Sequence, residues 1–255
     1  MNIFKESKIN EETKKPENKN PDGIKFVDNP GTVSFKDKIK RNSGITIEDI
    51  QDFKKELQEL DFSYFGKDMT KEEFIENSRR NMDLYKRMLD GERVYDTGSL
   101  KCIFPAVLKK MVATGNKNIY TIHLKLPGLT ILTDEQAEIL SECEKNVFLS
   151  NVASVTDKQA ESLSRIQGKL YLNNLESLTD HQAKSFSRHN GGIILNGITS
   201  LTDKQAESLS TYQSELYLGG LTSVSKKQAE FLAKVRNLSV LPEIEAIINK
   251  YKKHD

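Results

Sequence analysis

Tryptophan is absent from this chain, cysteine occurs twice and proline six times in 255 residues. Cys102 and Cys143 alone cannot build a disulfide framework or a thiolate metal site. No apolar run approaches the roughly eighteen residues that cross a bilayer, so no membrane association is expected. An excess of one charge is missing too: 38 basic residues stand against 37 acidic ones. No global field therefore selects nucleic acid, anionic lipid or acidic substrates. The opening MNIFKESKIN has no hydrophobic signal core, which points to the reducing cytoplasm, with leaderless secretion as the exception.

A repeat is what the chain does contain. A Gln-Ala pair recurs at Gln136, Gln159, Gln182, Gln205 and Gln228, each step 23 residues without insertion or deletion. TDKQAESLS occurs letter for letter at Thr156–Ser164 and again at Thr202–Ser210. Aligned segments precede the pairs: LKLPGLTIL from Leu124, VFLSNVASV from Val147, LYLNNLESL from Leu170, IILNGITSL from Ile193 and LYLGGLTSV from Leu216. A fixed period of this length marks a solenoid, in which each unit buries its core only against its neighbours.

The letters specify the unit. L-x-L alternates as a short strand does, with two residues inward and the middle one outward. Asn and Gly follow, as residues suited to the positive φ of a sharp bend. Thr133 with Gln136, Thr156 with Gln159, Thr179 with Gln182, Thr202 with Gln205 and Ser225 with Gln228 have the spacing of a capping box that opens a helix. Ala and Leu three apart, such as Ala160 and Leu163, turn one helix face to the sheet. A helix of two or three turns is marginal alone and needs stacking to persist.

From about Leu124 to Leu241 this pattern resembles the leucine-rich repeat family, in a bacterial-looking form LxLxGLTSLTDxQAExL. The resemblance implies a right-handed curved α/β solenoid, with a parallel sheet on its concave face and short helices on its convex face. A departure is that the sixth position, often Asn in the family, holds Val152, Leu175, Ile198 and Leu221. The turn must then satisfy its backbone otherwise, for instance through Asn151 and Asn174.

Four segments are expected: a disordered tail (1–43), a helical cap (44–103), the solenoid (104–241) and a C-terminal capping helix (242–255). The tail holds three of the six prolines, and its ten basic and seven acidic residues lack any sustained period. The cap reads as a helix at about 47–60 and another opening at the Thr70–Glu73 capping box and stopping at Gly91, with Met82, Tyr85 and Leu89 on one face. Phe104 opens a degenerate first repeat in which Pro105 starts a helix and Gly115 ends it. A final helix is expected over Glu243–Lys252.

No residue set spells out catalysis. His123, His181, His189 and His254 have no ligand spacing. His189 shares its repeat position with Cys143, Ile166, Tyr212 and Val235, which argues for core packing. The repeated Asp134, Asp157, Asp180 and Asp203 suggest calcium only until helix capping accounts for them. Neither a metal nor a cofactor is expected.

The positions the repeat leaves free are the informative ones. Lys125, Phe148, Tyr171, Ile194 and Tyr217, with Ser239 beyond them, point outward on neighbouring strands and form one stripe. His123, Asn146, Lys169, Gly192 and Glu215 flank it as a polar rim. The leading expectation is a non-enzymatic module binding an unidentified protein or peptide on that stripe. A bland alternative is that the rings only pack on one another. A second alternative is a secreted bacterial effector with enzymatic activity near Cys102, Asp96 and His123, its repeats recruiting substrate. A third is association with nucleic acid through the Lys-rich tail and Lys109-Lys110, which the balanced charge disfavours. The oligomeric state is left open.

Overall fold

Inward leucines and outward polar residues fold here into a stack of strand–turn–helix units. The computed structural model describes residues 70–252, apart from 90–91, 93, 95, 99 and 119–122. The expected tail, the helix at 47–60 and the stop at Gly91 lie outside the described residues. Each L-x-L segment is a strand of two to four residues: β1 (His123–Lys125), β2 (Asn146–Phe148), β3 (Leu170–Tyr171), β4 (Ile193–Ile194), β5 (Glu215–Leu218) and β6 (Asn237–Val240). They form one six-stranded parallel sheet in chain order. Leu124, Val147, Leu170, Ile193, Leu216 and Leu238 pair in succession. Leu238 keeps that alignment although the last unit is one residue shorter.

Helices alternate with the strands. α1 (Lys71–Leu89) and α2 (Pro105–Lys117) precede β1; α3 (Asp134–Ser141), α4 (Asp157–Leu163), α5 (Asp180–Phe186), α6 (Asp203–Leu209) and α7 (Lys226–Leu232) each follow a strand. α8 (Pro242–Asn249) closes the series. The core between sheet and helices is continuous, running from Leu84 and Tyr85 on α1 to Ile244 and Ile248 on α8. Each helix from α3 to α7 starts at a full capping box, with the Thr or Ser hydroxyl accepting the Gln amide N–H and the Gln side chain accepting the cap N–H. That arrangement satisfies two of the amides that every helix start leaves without a partner.

The same glutamines also join neighbouring units. Gln159 Nε2 donates to the Leu132 carbonyl at 2.8 Å, Gln182 to Val155 at 2.8 Å, Gln205 to Leu178 at 2.6 Å and Gln228 to Leu201 at 2.8 Å. From α4 to α7 the cap hydroxyl reaches the preceding unit's aspartate: Thr156 to Asp134, Thr179 to Asp157, Thr202 to Asp180 and Ser225 to Asp203. Lys158, Lys204 and Lys227 stand over Asp134, Asp180 and Asp203. The aspartates thus serve the cap of the next helix as well as their own helix dipole. Among the described residues no group of three or more His, Cys, Asp or Glu is gathered to hold a metal.

The turns differ from the sequence expectation in their physics. Among the described residues the one glycine with positive φ is Gly98. Gly197 and Gly220 are needed for close approach instead. A Cβ on Gly197 would lie 2.6 Å from the Leu175 carbonyl oxygen, and one on Gly220 2.0 Å from that of Asn196. Asparagine does bridge the turns: Asn196 donates to Asn173 Oδ1 at 3.2 Å, Asn173 to the Ser150 hydroxyl at 3.3 Å, and the Gly219 N–H to Asn196 Oδ1 at 2.8 Å. Beside this row Asn151 donates to the Pro127 carbonyl and Asn174 to Asn151. An amide ladder thus runs one and two positions before the apolar sixth residue and meets the backbone's need for partners.

Repeat geometry also begins earlier than Phe104. Asp96 forms a parallel bridge with Lys125, and the Thr97 N–H donates to the Lys125 carbonyl at 3.1 Å. Gln136 donates to the Ile103 carbonyl at 2.5 Å, as the later glutamines do to their preceding units. α2 does not stop at Gly115 but runs to Lys117, with Gly115 buried inside it. Its extra length is what breaks the 23-residue period there. α1 docks through two asparagines. Asn81 donates to the Cys102 carbonyl and accepts the Phe104 N–H, both at 2.9 Å, while Asn77 accepts the Lys101 N–H at 2.9 Å. α8 ends at Asn249, short of Lys252.

Candidate functional site

Parallel pairing in constant register brings the outward residues into one row. Phe148 pairs between Lys125 and Tyr171, Ile194 between Tyr171 and Tyr217, and Ser239 follows Tyr217. Asp96, paired with Lys125, begins the row at its N-terminal end. Lys125, Asp96 and Ser239 are exposed, and Phe148, Tyr171 and Tyr217 are partly exposed. Ile194 is only 6% exposed. It supports the tyrosines on either side and offers almost no surface of its own, which removes it from the candidate contact residues.

The rings pack on one another. Phe148 and Tyr171 stack at 3.9 Å between centroids with planes 9° apart, and His123 meets Phe148 edge-on at 5.2 Å. Such pairs stabilise a sheet beyond their buried area. The stack covers the facing sides of Phe148 and Tyr171, while Tyr217 stands two strands beyond Tyr171.

The rim is hydrogen-bonded along its length. The Asn146 amide meets His123 Nδ1 at 3.3 Å, and Asn146 Oδ1 accepts the Lys169 N–H at 2.8 Å. Lys169 Nζ then reaches past β4 to Glu215 Oε2 at 2.5 Å. Gly192 gives this reach room, because a Cβ there would sit 3.3 Å from the Lys169 side chain and 3.4 Å from Glu215 Oε2. The Tyr217 hydroxyl donates to the same carboxylate at 3.2 Å. The hydrogen bond from Lys169 holds the Glu215 carboxyl below the usual carboxylate range and raises the lysine in turn. Sequence alone marked these rim positions as polar; the bond across β4, between residues 46 apart, has no short-range signal.

Comparison with protein-family models, with curated proteins and with solved structures finds no match to this chain.

The remaining candidates are placed apart from that row. Cys102 and Cys143 are each 1% exposed, and burial pushes the Cys143 thiol up, away from the thiolate a nucleophile needs. Asp96 accepts the Gly98 N–H at 2.8 Å, closing a turn. His181 is exposed on α5, 3.9 Å from Asp157. Lys109 is exposed on α2 and Lys110 half-buried. No described helix is long and apolar enough to cross a membrane.

His189 is 2% exposed in the shared register with Cys143, Ile166, Tyr212 and Val235, all at 1%. Its Nδ1 lies 3.2 Å from the Ser164 carbonyl, which makes Nδ1 the N–H donor, and its buried Nε2 has no hydrogen-bond partner. Burial lowers its pKa from the ordinary 6.5, against the pull of backbone at Ser164, Gly192 and Gly168.

Proposed function

We propose that the chain is a leucine-rich repeat solenoid, right-handed and curved, whose strand face is the concave surface and binds a protein or peptide without catalysing a reaction. One observation carries this reading: the in-register row of Phe148, Tyr171 and Tyr217, partly exposed and flanked by a hydrogen-bonded polar rim. Aromatic rings beside a fixed charge pair suit a protein contact, because rings already held in place, Phe148 and Tyr171 by stacking and Tyr217 by its hydrogen bond to Glu215, lose little side-chain entropy on binding. The fold alone does not supply the function. The positions at which the repeats differ are where specificity resides.

The test is a crosslinking pull-down from native cytoplasmic lysate, comparing wild type with the Phe148→Ser, Tyr171→Ser, Tyr217→Ser triple variant. Circular dichroism first establishes that the variant is folded. A partner captured by wild type and lost by the folded variant supports the concave row as the binding surface. Equal capture by both proteins refutes it and leaves the row as sheet packing.

A further inference from the structure

We infer that β6 is a self-association edge, at which two copies of the chain pair β6 against β6, antiparallel, about a two-fold axis at Ser239. The two edges of the sheet are unlike. Beyond β1 lies the Asp96 bridge, where the Thr97 N–H takes up the Lys125 carbonyl. Beyond β6 no strand follows among the described residues.

The hydrogen-bond pattern states which groups this leaves open. Along the sheet each inward residue bonds forward to the next strand: Val147 N–H to the Lys169 carbonyl, Leu149 to Tyr171, Leu170 to Gly192 and Leu195 to Tyr217. Leu238 and Val240 occupy the same inward positions, paired beside Leu216 and Leu218. Their N–H and C=O groups are therefore directed away from β5. α8 does not supply an apolar reason for the edge, since Ile244 and Ile248 already close the core at 3% and 1% exposure.

Exposed edges are usually blunted by a charge, a proline, a bulge or brevity. β6 is four residues of sequence NLSV, as long as any strand in the sheet, and carries no charge, proline or bulge between Asn237 and Val240. Its pleat limits how it can pair, because inward residues must lie opposite inward residues. The register that joins the open groups sets Leu238 against Val240 of the second copy and Val240 against its Leu238, each pair exchanging both hydrogen bonds. Ser239 then faces its own counterpart in the intervening pair, with Cα atoms about 4.5 Å apart.

Charge favours a second copy over an unrelated strand. Lys234 and Arg236 precede β6 and Glu243 and Glu245 follow it, all four exposed. None belongs to an ion pair among the described residues. Antiparallel self-pairing sets the basic flank of one copy beside the acidic flank of the other, twice over by symmetry.

The test uses the full chain. Sedimentation velocity across the micromolar to submillimolar range is expected to show a concentration-dependent dimer that weakens with salt. Ser239→Cys should crosslink in oxidised glutathione roughly tenfold faster than Ser177→Cys in an exposed turn, since about 4.5 Å between Cα atoms lies within disulfide range. The native Cys102 and Cys143 are buried and give no background. Val240→Pro removes an edge N–H that no strand among the described residues uses, a change an edge tolerates. It should weaken the dimer roughly tenfold or more with an unchanged circular dichroism spectrum. Should that variant unfold, the relative crosslinking rates decide. A wild type that stays monomeric throughout, equal crosslinking rates, or a folded Val240→Pro that dimerises like wild type would each overturn the inference.

Discussion

Replacing Gln205 with alanine tests whether the repeated glutamine does more than start a helix. Its side chain is 6% exposed. Its Oε1 accepts the Thr202 N–H at 2.8 Å and its Nε2 donates to the Leu178 carbonyl of the preceding unit at 2.6 Å. Loss of the capping interaction alone costs about 1 kcal/mol. Alanine also leaves the Leu178 carbonyl buried without its donor, at about 1–3 kcal/mol for an orphaned group. The expected loss is about 2–4 kcal/mol in urea unfolding monitored by circular dichroism. Gln205→Glu separates the two roles, because it keeps an oxygen for the cap but sets a carboxylate oxygen against the Leu178 carbonyl. It should lie nearer the alanine variant than wild type at neutral pH. Glu207→Ala, exposed on the same helix, should stay within about 0.5 kcal/mol. A Gln205→Ala loss of about 1 kcal/mol or less, with Gln205→Glu equal to wild type, would refute a stitching role and leave helix capping alone.

Adjacent glycines give a sharper contrast. A Cβ on Gly191 would lie 2.1 Å from the Gly168 carbonyl oxygen, so Gly191→Ala should cost about 2 kcal/mol or more through forced backbone movement. Gly192→Ala meets only flexible side chains and should cost under about 1 kcal/mol while loosening the Lys169–Glu215 pair; thermal melts of both variants check this, and equal melts would sink it. His189 makes stability depend on pH. Its folded pKa lies below 6.5, so the unfolded chain takes up the proton first. The stability it contributes is therefore complete above pH 6.5 and is lost as pH falls from there toward the folded pKa. His189→Ile, the residue type at position 166 of the same register, should flatten that part of the stability–pH curve; an unchanged slope would refute the assignment.

The repeat was open to reading because each unit carries its own start signal, and five glutamines agree on the period. The alternation of L-x-L likewise announced which side chains face out. What the letters could not announce were relations between units. Gln182 and its Val155 acceptor are 27 residues apart, and Lys169 and Glu215 are two units apart, so neither has a local pattern. Asp96 and Thr97 were not read as part of the repeat because they bear no likeness to the Lys125-Leu126 pair beside them, and α2 displaces the period. Ile194 looked like surface since strand alternation sets it in the outward row, between Tyr171 and Tyr217, although it is buried there. Gly197 and Gly220 were noticed for a torsional reason, when the operative one is the backbone of the turn before.

The side-chain stitches at the helix caps and turns share a direction, opposite to that of the backbone bonds by which each inward N–H reaches the next strand. Gln159, Gln182, Gln205 and Gln228 donate toward the unit that precedes them in the chain, and so do the cap hydroxyls and the turn asparagines. During synthesis the N-terminal end emerges first, so each later unit leaves the ribosome carrying the donors and finds its acceptors already in place. A stack of strand–turn–helix units joined in this way can lengthen one unit at a time without waiting for its C-terminus.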